Sequence, residues 1–160
     1  MALRVFGKSL VQVRWVLATI FMILAIAFIM NWSGQTTTLG RFLAGAGAAY
    51  ALISPVIGWV GVVVTGSDNS TNALFGHLQV VAAKETGLSP VLLAASNTTG
   101  GVLGKMLSPQ SIAIGAAAVG LIGREGDVFR SVFGWAVGLL AAFCVFVYLQ
   151  STPVLGWMVP

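Results

Sequence analysis

Residues 15–40, 42–67 and 131–160 contain no Lys, Arg, Asp or Glu, and these three charge-free stretches limit the fold more than any other feature of the sequence. A hydrocarbon core about 30 Å thick takes about 20 consecutive apolar helical residues, and each stretch is that long. The whole chain is 58% apolar and only 8% charged, whereas a soluble domain carries about 25% charged residues. A water-soluble globule is not what this balance describes. Alternating strands of about ten residues, which a membrane barrel needs, do not occur either, so the expected class is all-α with several transmembrane helices.

The charges that remain are informative by position. Arg4, Lys8 and Arg14 precede the first apolar run, with no acid among them. Lys/Arg bias marks the cytoplasmic side, so residues 1–14 are expected to be a basic cytoplasmic segment and Asn31 to Gly40 external. The run from Trp15 to Met30 is longer than a signal-peptide core and lacks a small-x-small cleavage site directly after it, so a retained span over about 15–32 is expected. Trp15 and Trp32 stand where interfacial aromatics stand, or are ordinary packing. The pI near 9.9 does not indicate a nucleic-acid partner, because the basic residues are scattered singly and form no stripe for a phosphate backbone. One Cys and one His exclude an internal disulfide and the usual zinc clusters. Cys144 reads as small apolar packing, and no metal or cofactor is expected.

Further spans are expected over about 42–65, 109–123 and 131–149, with the dense charges Arg124, Glu125, Asp127 and Arg130 in an extramembrane loop. The second span is rich in small residues that let helices approach closely, and Pro55 is expected to kink it. Two polar blocks differ in kind, GSDNSTN at 66–72 and SNTTGG at 96–101. Each is joined to apolar sequence of membrane length, and unwound backbone there cannot face lipid. Segments 70–83 and 89–104 are therefore expected to be discontinuous or re-entrant, buried in protein or lining a wet cavity.

Broken helices are how many secondary transporters build a midplane site, with helix N-termini directed at an anion. Ser67, Asn69, Ser70, Thr71 and Asn72 in the first block, and Asn97, Thr98, Thr99, Gly100 and Gly101 in the second, are the candidate binding residues. The glycines, Gly66 included, would allow close ligand approach. Tight turns capped by Ser, Asn and Thr are the alternative. Asp68 is a carboxyl at membrane depth, which is by default a functional hypothesis; it carries a coupling proton, caps the helix or pairs with Lys105. Lys105 either meets an anionic substrate or snorkels. Arg41 reads as an interfacial anchor. His77 is a relay or a packed histidine. No Ser-His-acid set or Walker loop is present, since GGVLGKM lacks the required ending, so enzymatic function is not expected.

The blocks carry a resemblance. TGSDNSTNALFGHLQ at 65–79 and SPVLLAASNTTGGVLGKMLSPQSIAIGAAAVGLIGRE at 89–125, with MNWSG at 30–34, SPVIGWVGV at 54–62, DVFR at 127–130 and GWMVP at 156–160, resemble the C-terminal third of the bacterial L-lactate/glycolate permease family. The resemblance implies part of a larger secondary-transporter fold in the bacterial cytoplasmic membrane. It further implies uptake of L-lactate or a related 2-hydroxy monocarboxylate, such as glycolate, with protons. Members of that family are far longer. The expected partners are thus the missing N-terminal part of a permease, the substrate, protons and the lipid bilayer; the alternative is a remnant or interaction subunit that does not transport by itself.

Overall fold

The computed structural model describes residues 2–159; side chains at 2–6, 8–10, 12–13 and 15–16 lie outside the description, and with them the expectations resting on Arg4, Lys8 and Trp15. Seven α-helices follow in order among the described residues: α1 Ala2–Trp32, α2 Gln35–Ala44, α3 Tyr50–Thr65, α4 Asp68–Thr86, α5 Pro90–Lys105, α6 Pro109–Ala118 and α7 Glu125–Gln150. Short 3₁₀ turns occupy Gly47–Ala49 and Gly156–Met158, and no strand occurs among these residues. Gly47–Thr65 and Glu125–Gln150 are long and apolar enough to cross a bilayer. Leu17–Trp32 and Gln35–Ala44, bent by 71°, make a third crossing if the pair is one broken span.

Several boundaries differ from the sequence expectation, each for a local reason. Gly34 has φ 77°, a left-handed conformation open to glycine, and the chain turns there into a second helix, so that residues 35–40, for which only an external position was expected, are helical. The stretch 42–65 is not one helix. α2 stops at Ala44, Gly47 takes φ 58°, and α3 starts at Tyr50 and continues through Pro55. Downstream, α6 ends at Ala118, short of the expected 109–123, before Gly120 and Gly123, both at positive φ. The charge cluster expected in a loop instead opens α7. Glu125 and Asp127 sit in its first turn, where acids complement the helix dipole, and Arg124 pairs with Asp127 at 2.7 Å.

The largest difference concerns SNTTGG, which is not a break at all. α5 runs through it without interruption. A Cβ built at Gly100 would meet the Pro55 carbonyl of α3, and one at Gly104 the Trp59 carbonyl. These glycines therefore let two backbones touch, which is how membrane helices associate when lipid supplies no hydrophobic drive between them.

α3, α4 and α5 form the centre. Gly66, φ 68°, ends α3 with its N–H on the Val62 carbonyl and reverses the chain into α4; Gly87, φ 72°, reverses it again toward α5. α3 and α5 consequently run in the same direction, Ser54 beside Ser96 and Trp59 beside Gly104. Tyr50, Ala82, Ala83 and Leu93 close one end as a fully buried apolar cluster. Val147 of α7 packs against Ala51 and Leu92, and α2 is tied to α4 by the exposed Arg41–Glu85 pair at 2.9 Å.

Candidate functional site

Helix α4 starts where it does because Ser67 is an N-cap, its hydroxyl accepting from the Ser70 N–H at 3.3 Å. Thr65 reinforces the turn by accepting from the Ser67 N–H at 3.1 Å, and the Thr71 hydroxyl donates to the Ser67 carbonyl at 3.0 Å. The first-turn N–H groups of Asp68 and Asn69 have no preceding turn to bond to. This turn borders a cleft of about 490 Å³ lined by Thr65 to Ser70, Lys105, Gln110 and, from α1, Thr19, Ile20 and Ile23. The Lys105 ammonium reaches across the end of α3 and donates to the Gly66 carbonyl and, at 3.4 Å, to Gln110 Oε1. It does so rather than pairing with Asp68.

Asp68 has two unlike oxygens. Oδ2 accepts from Asn72 Nδ2 at 3.2 Å. Oδ1 is buried beside Gly101 and receives no donor. Behind Asn72 a line of side chains crosses the bundle. Asn97 Nδ2 donates to Asn72 Oδ1 at 2.7 Å, Gln79 Nε2 donates to Asn97 Oδ1 at 3.1 Å, and the Tyr50 hydroxyl donates to Gln79 Oε1 at 2.8 Å. Ser54 and Ser96 join it through a short hydroxyl contact, and Thr98 donates to Asn72 Oδ1 at 3.1 Å. Buried polar groups at membrane depth persist when each has a partner, and here α3, α4 and α5 supply partners to one another.

The structure thus divides the candidate residues. Ser67, Asp68, Asn69, Ser70 and Lys105 line one cleft. Asn72, Asn97 and Thr98 hydrogen-bond to each other within the bundle, and Asn97 is fully buried. Thr71 is buried against α3, Gly100 and Gly101 are packing positions, and Thr99 points outward. His77 is exposed and Cys144 buried. Tyr50, Ser54, Gln79 and Gln110 were not legible as site residues, since each stands alone in sequence that reads as apolar or as loop, and Ser96, although it opens the second polar block, was not among the candidates. The nearest sequence signal was the surviving amide Gln79 on the same α4 side as Asn72, two turns away.

The helices and their buried polar centre define an all-α membrane protein with two or three candidate crossings among the described residues. The chain belongs to the L-lactate permease family, whose sequence model matches residues 1–154. It is 49% identical over 99% of its length to the L-lactate permease of Salmonella typhimurium and 46% identical over 98% to that of Bacillus subtilis, covering 29% and 28% of those proteins. It is also 45% identical over 90% of its length to the glycolate permease GlcA of Escherichia coli, of which it covers 27%. The chain therefore spans less than a third of these relatives. No solved structure matches it.

Proposed function

We propose that this chain forms part of a monocarboxylate–proton symporter of the bacterial cytoplasmic membrane, carrying L-lactate, glycolate or a related 2-hydroxy acid, and that it acts together with the remaining part of a permease. The observation that carries this reading is the pairing, in one cleft, of an anion-favouring helix end and cation with a carboxyl whose Oδ1 has no donor. A substrate carboxylate at the first turn of α4 would receive backbone N–H groups and the positive end of the helix dipole. The Lys105 ammonium has a third N–H to offer beyond its two acceptors. Asp68 shares that cleft, and two adjacent carboxylates resist simultaneous ionisation. The anion is then accommodated with a proton on Asp68, and the pair moves without net charge.

Family membership and the names of the relatives support the substrate class. The fraction of those proteins that the chain spans supports the need for a second part, because inverted-repeat transporters place the site between two halves. The reading is tested in proteoliposomes. The chain reconstituted with the remaining permease part should give saturable lactate uptake with alkalinisation of the outer medium, and the chain alone should give neither. Proton-linked uptake by the chain alone would show that the second part is not required, and absence of uptake with both parts present would reject the transport reading in favour of a non-transporting membrane subunit.

A further inference from the structure

The hydrogen bonds that end on Asp68 have one sense throughout. Tyr50 donates to Gln79, Gln79 to Asn97, Asn97 to Asn72, and Asn72 to Asp68 Oδ2. An amide can be turned over, exchanging its donor and acceptor ends, so direction in such a chain must be fixed somewhere. Once Asp68 is protonated, Asn72 and Asn97 do not fix it, because each then bonds only to amides, a hydroxyl or a carboxylic acid, all of which can either donate or accept. Gln79 does. Its Nε2 faces the backbone carbonyl of Ser54 at 3.2 Å, and a carbonyl oxygen only accepts. Turning Gln79 over would set its own oxygen against that carbonyl in a fully buried place, with a lost hydrogen bond and two facing acceptors.

We infer that Gln79 is a positioning residue that determines which oxygen of Asp68 holds the proton. With Gln79 pinned, Asn97 and then Asn72 are pinned in turn, and Oδ2 always receives an N–H. A proton on Oδ2 would aim an O–H at that N–H. The proton therefore resides on Oδ1, the oxygen that lines up with no donor and lies beside Gly101. Gln79 touches neither Asp68 nor the cleft, and eleven residues of helix at 1.5 Å each separate the two by about 16 Å. The inference rests on the proposal that Asp68 is the proton-carrying acid, and it adds a residue to that mechanism which the cleft alone does not identify.

Infrared difference spectroscopy on the whole chain in lipid bilayers, with aspartate labelled at its side-chain carboxyl carbon, tests this directly. Subtracting Asp68→Asn isolates Asp68 from Asp127. In the unsubstituted chain, protonated Asp68 should give one C=O band lowered in frequency by the Asn72 N–H on Oδ2. Gln79→Met, similar in length and without donors, should shift intensity to the higher frequency of an unbonded carbonyl, and Gln79→Glu, which keeps the shape if the methionine variant does not fold, should shift part of it. Tyr50→Phe leaves Nε2 on the Ser54 carbonyl and should leave the band in place. A folded Gln79 variant with an unmoved band, or Tyr50→Phe moving it as far, would overturn the inference alone. Absence of any protonated Asp68 band in the unsubstituted chain, at every pH where it stays folded, would overturn the proton-carrier proposal and the inference together.

Discussion

At single residues, the positions that matter most are those where the side chain is missing. Gly100 and Gly76 are both helical glycines, yet a Cβ at Gly100 runs into the Pro55 carbonyl while one at Gly76 meets nothing within 4 Å. Gly100→Ala should therefore destabilise the chain by about 1–3 kcal/mol, the usual range for overpacking, whereas Gly76→Ala should stabilise it by about 0.5–1 kcal/mol through helix propensity. Unfolding in mixed micelles, followed by helix content, separates the two. Asn97 is the residue whose role changes most on seeing the fold. In sequence it is one more small donor in a polar block; in the structure its amide joins Gln79 to Asn72 at zero exposure. Asn97→Ala should thus cost stability, about 1–3 kcal/mol for each buried partner left unsatisfied, and the same unfolding assay should register it even with no substrate present. Asp68 and Lys105 were legible because an ionisable group in an uncharged stretch stands out by itself. Gln79, Tyr50 and Gln110 were not, because their significance lies in which distant residue they face.

Among the helices, local chemistry decides starts better than it decides continuity. Ser89-Pro90 and Ser108-Pro109 each begin a helix, the serine hydroxyl accepting from an N–H at 3.3 Å and proline occupying the first turn. Ser54-Pro55 is the same dipeptide, but it lies inside α3, where Ser54 is held by Gln79 and Ser96 from two other helices. SNTTGG misled for the same reason. Two glycines weaken an isolated helix by about 1 kcal/mol each relative to alanine, and only the fit against α3 offsets that. The α7 start offers a pH test. Gly123 donates its backbone N–H to the Glu125 carboxylate at 2.9 Å, which with Glu125's own N–H holds this carboxyl below the ordinary glutamate range. A carboxyl lowered in the folded state contributes stability that is present above its unfolded value and lost as pH falls through the folded one. Amide exchange at residues 125–128 should accordingly rise only below the usual glutamate range near pH 4.3, and Glu125→Gln should abolish that acid-dependent step. Exchange that rises equally in both proteins would remove Glu125 as its cause.

For the whole molecule, fold class followed from charge-free length alone, while the way the helices enclose a site did not. That difference is physical. Length against bilayer thickness is a local property of the chain, whereas a cleft made by α1, α4, α5 and α6 depends on which face each helix turns inward. Orientation in the membrane rests on the N-terminal basic residues. Ser33 is exposed beside the bend at Gly34, so a cysteine placed there should react with an impermeant thiol reagent in intact cells; reaction only after permeabilisation would invert the topology. The central claim is that one cleft binds a carboxylate and, on Asp68, its accompanying proton. Its most direct measurement compares uphill lactate uptake driven by a pH gradient with lactate–lactate exchange at equal pH, in proteoliposomes holding the Asp68→Asn chain with the remaining permease part. Loss of uphill uptake with exchange retained is the predicted result, and undiminished pH-driven uptake at normal protein level would contradict it.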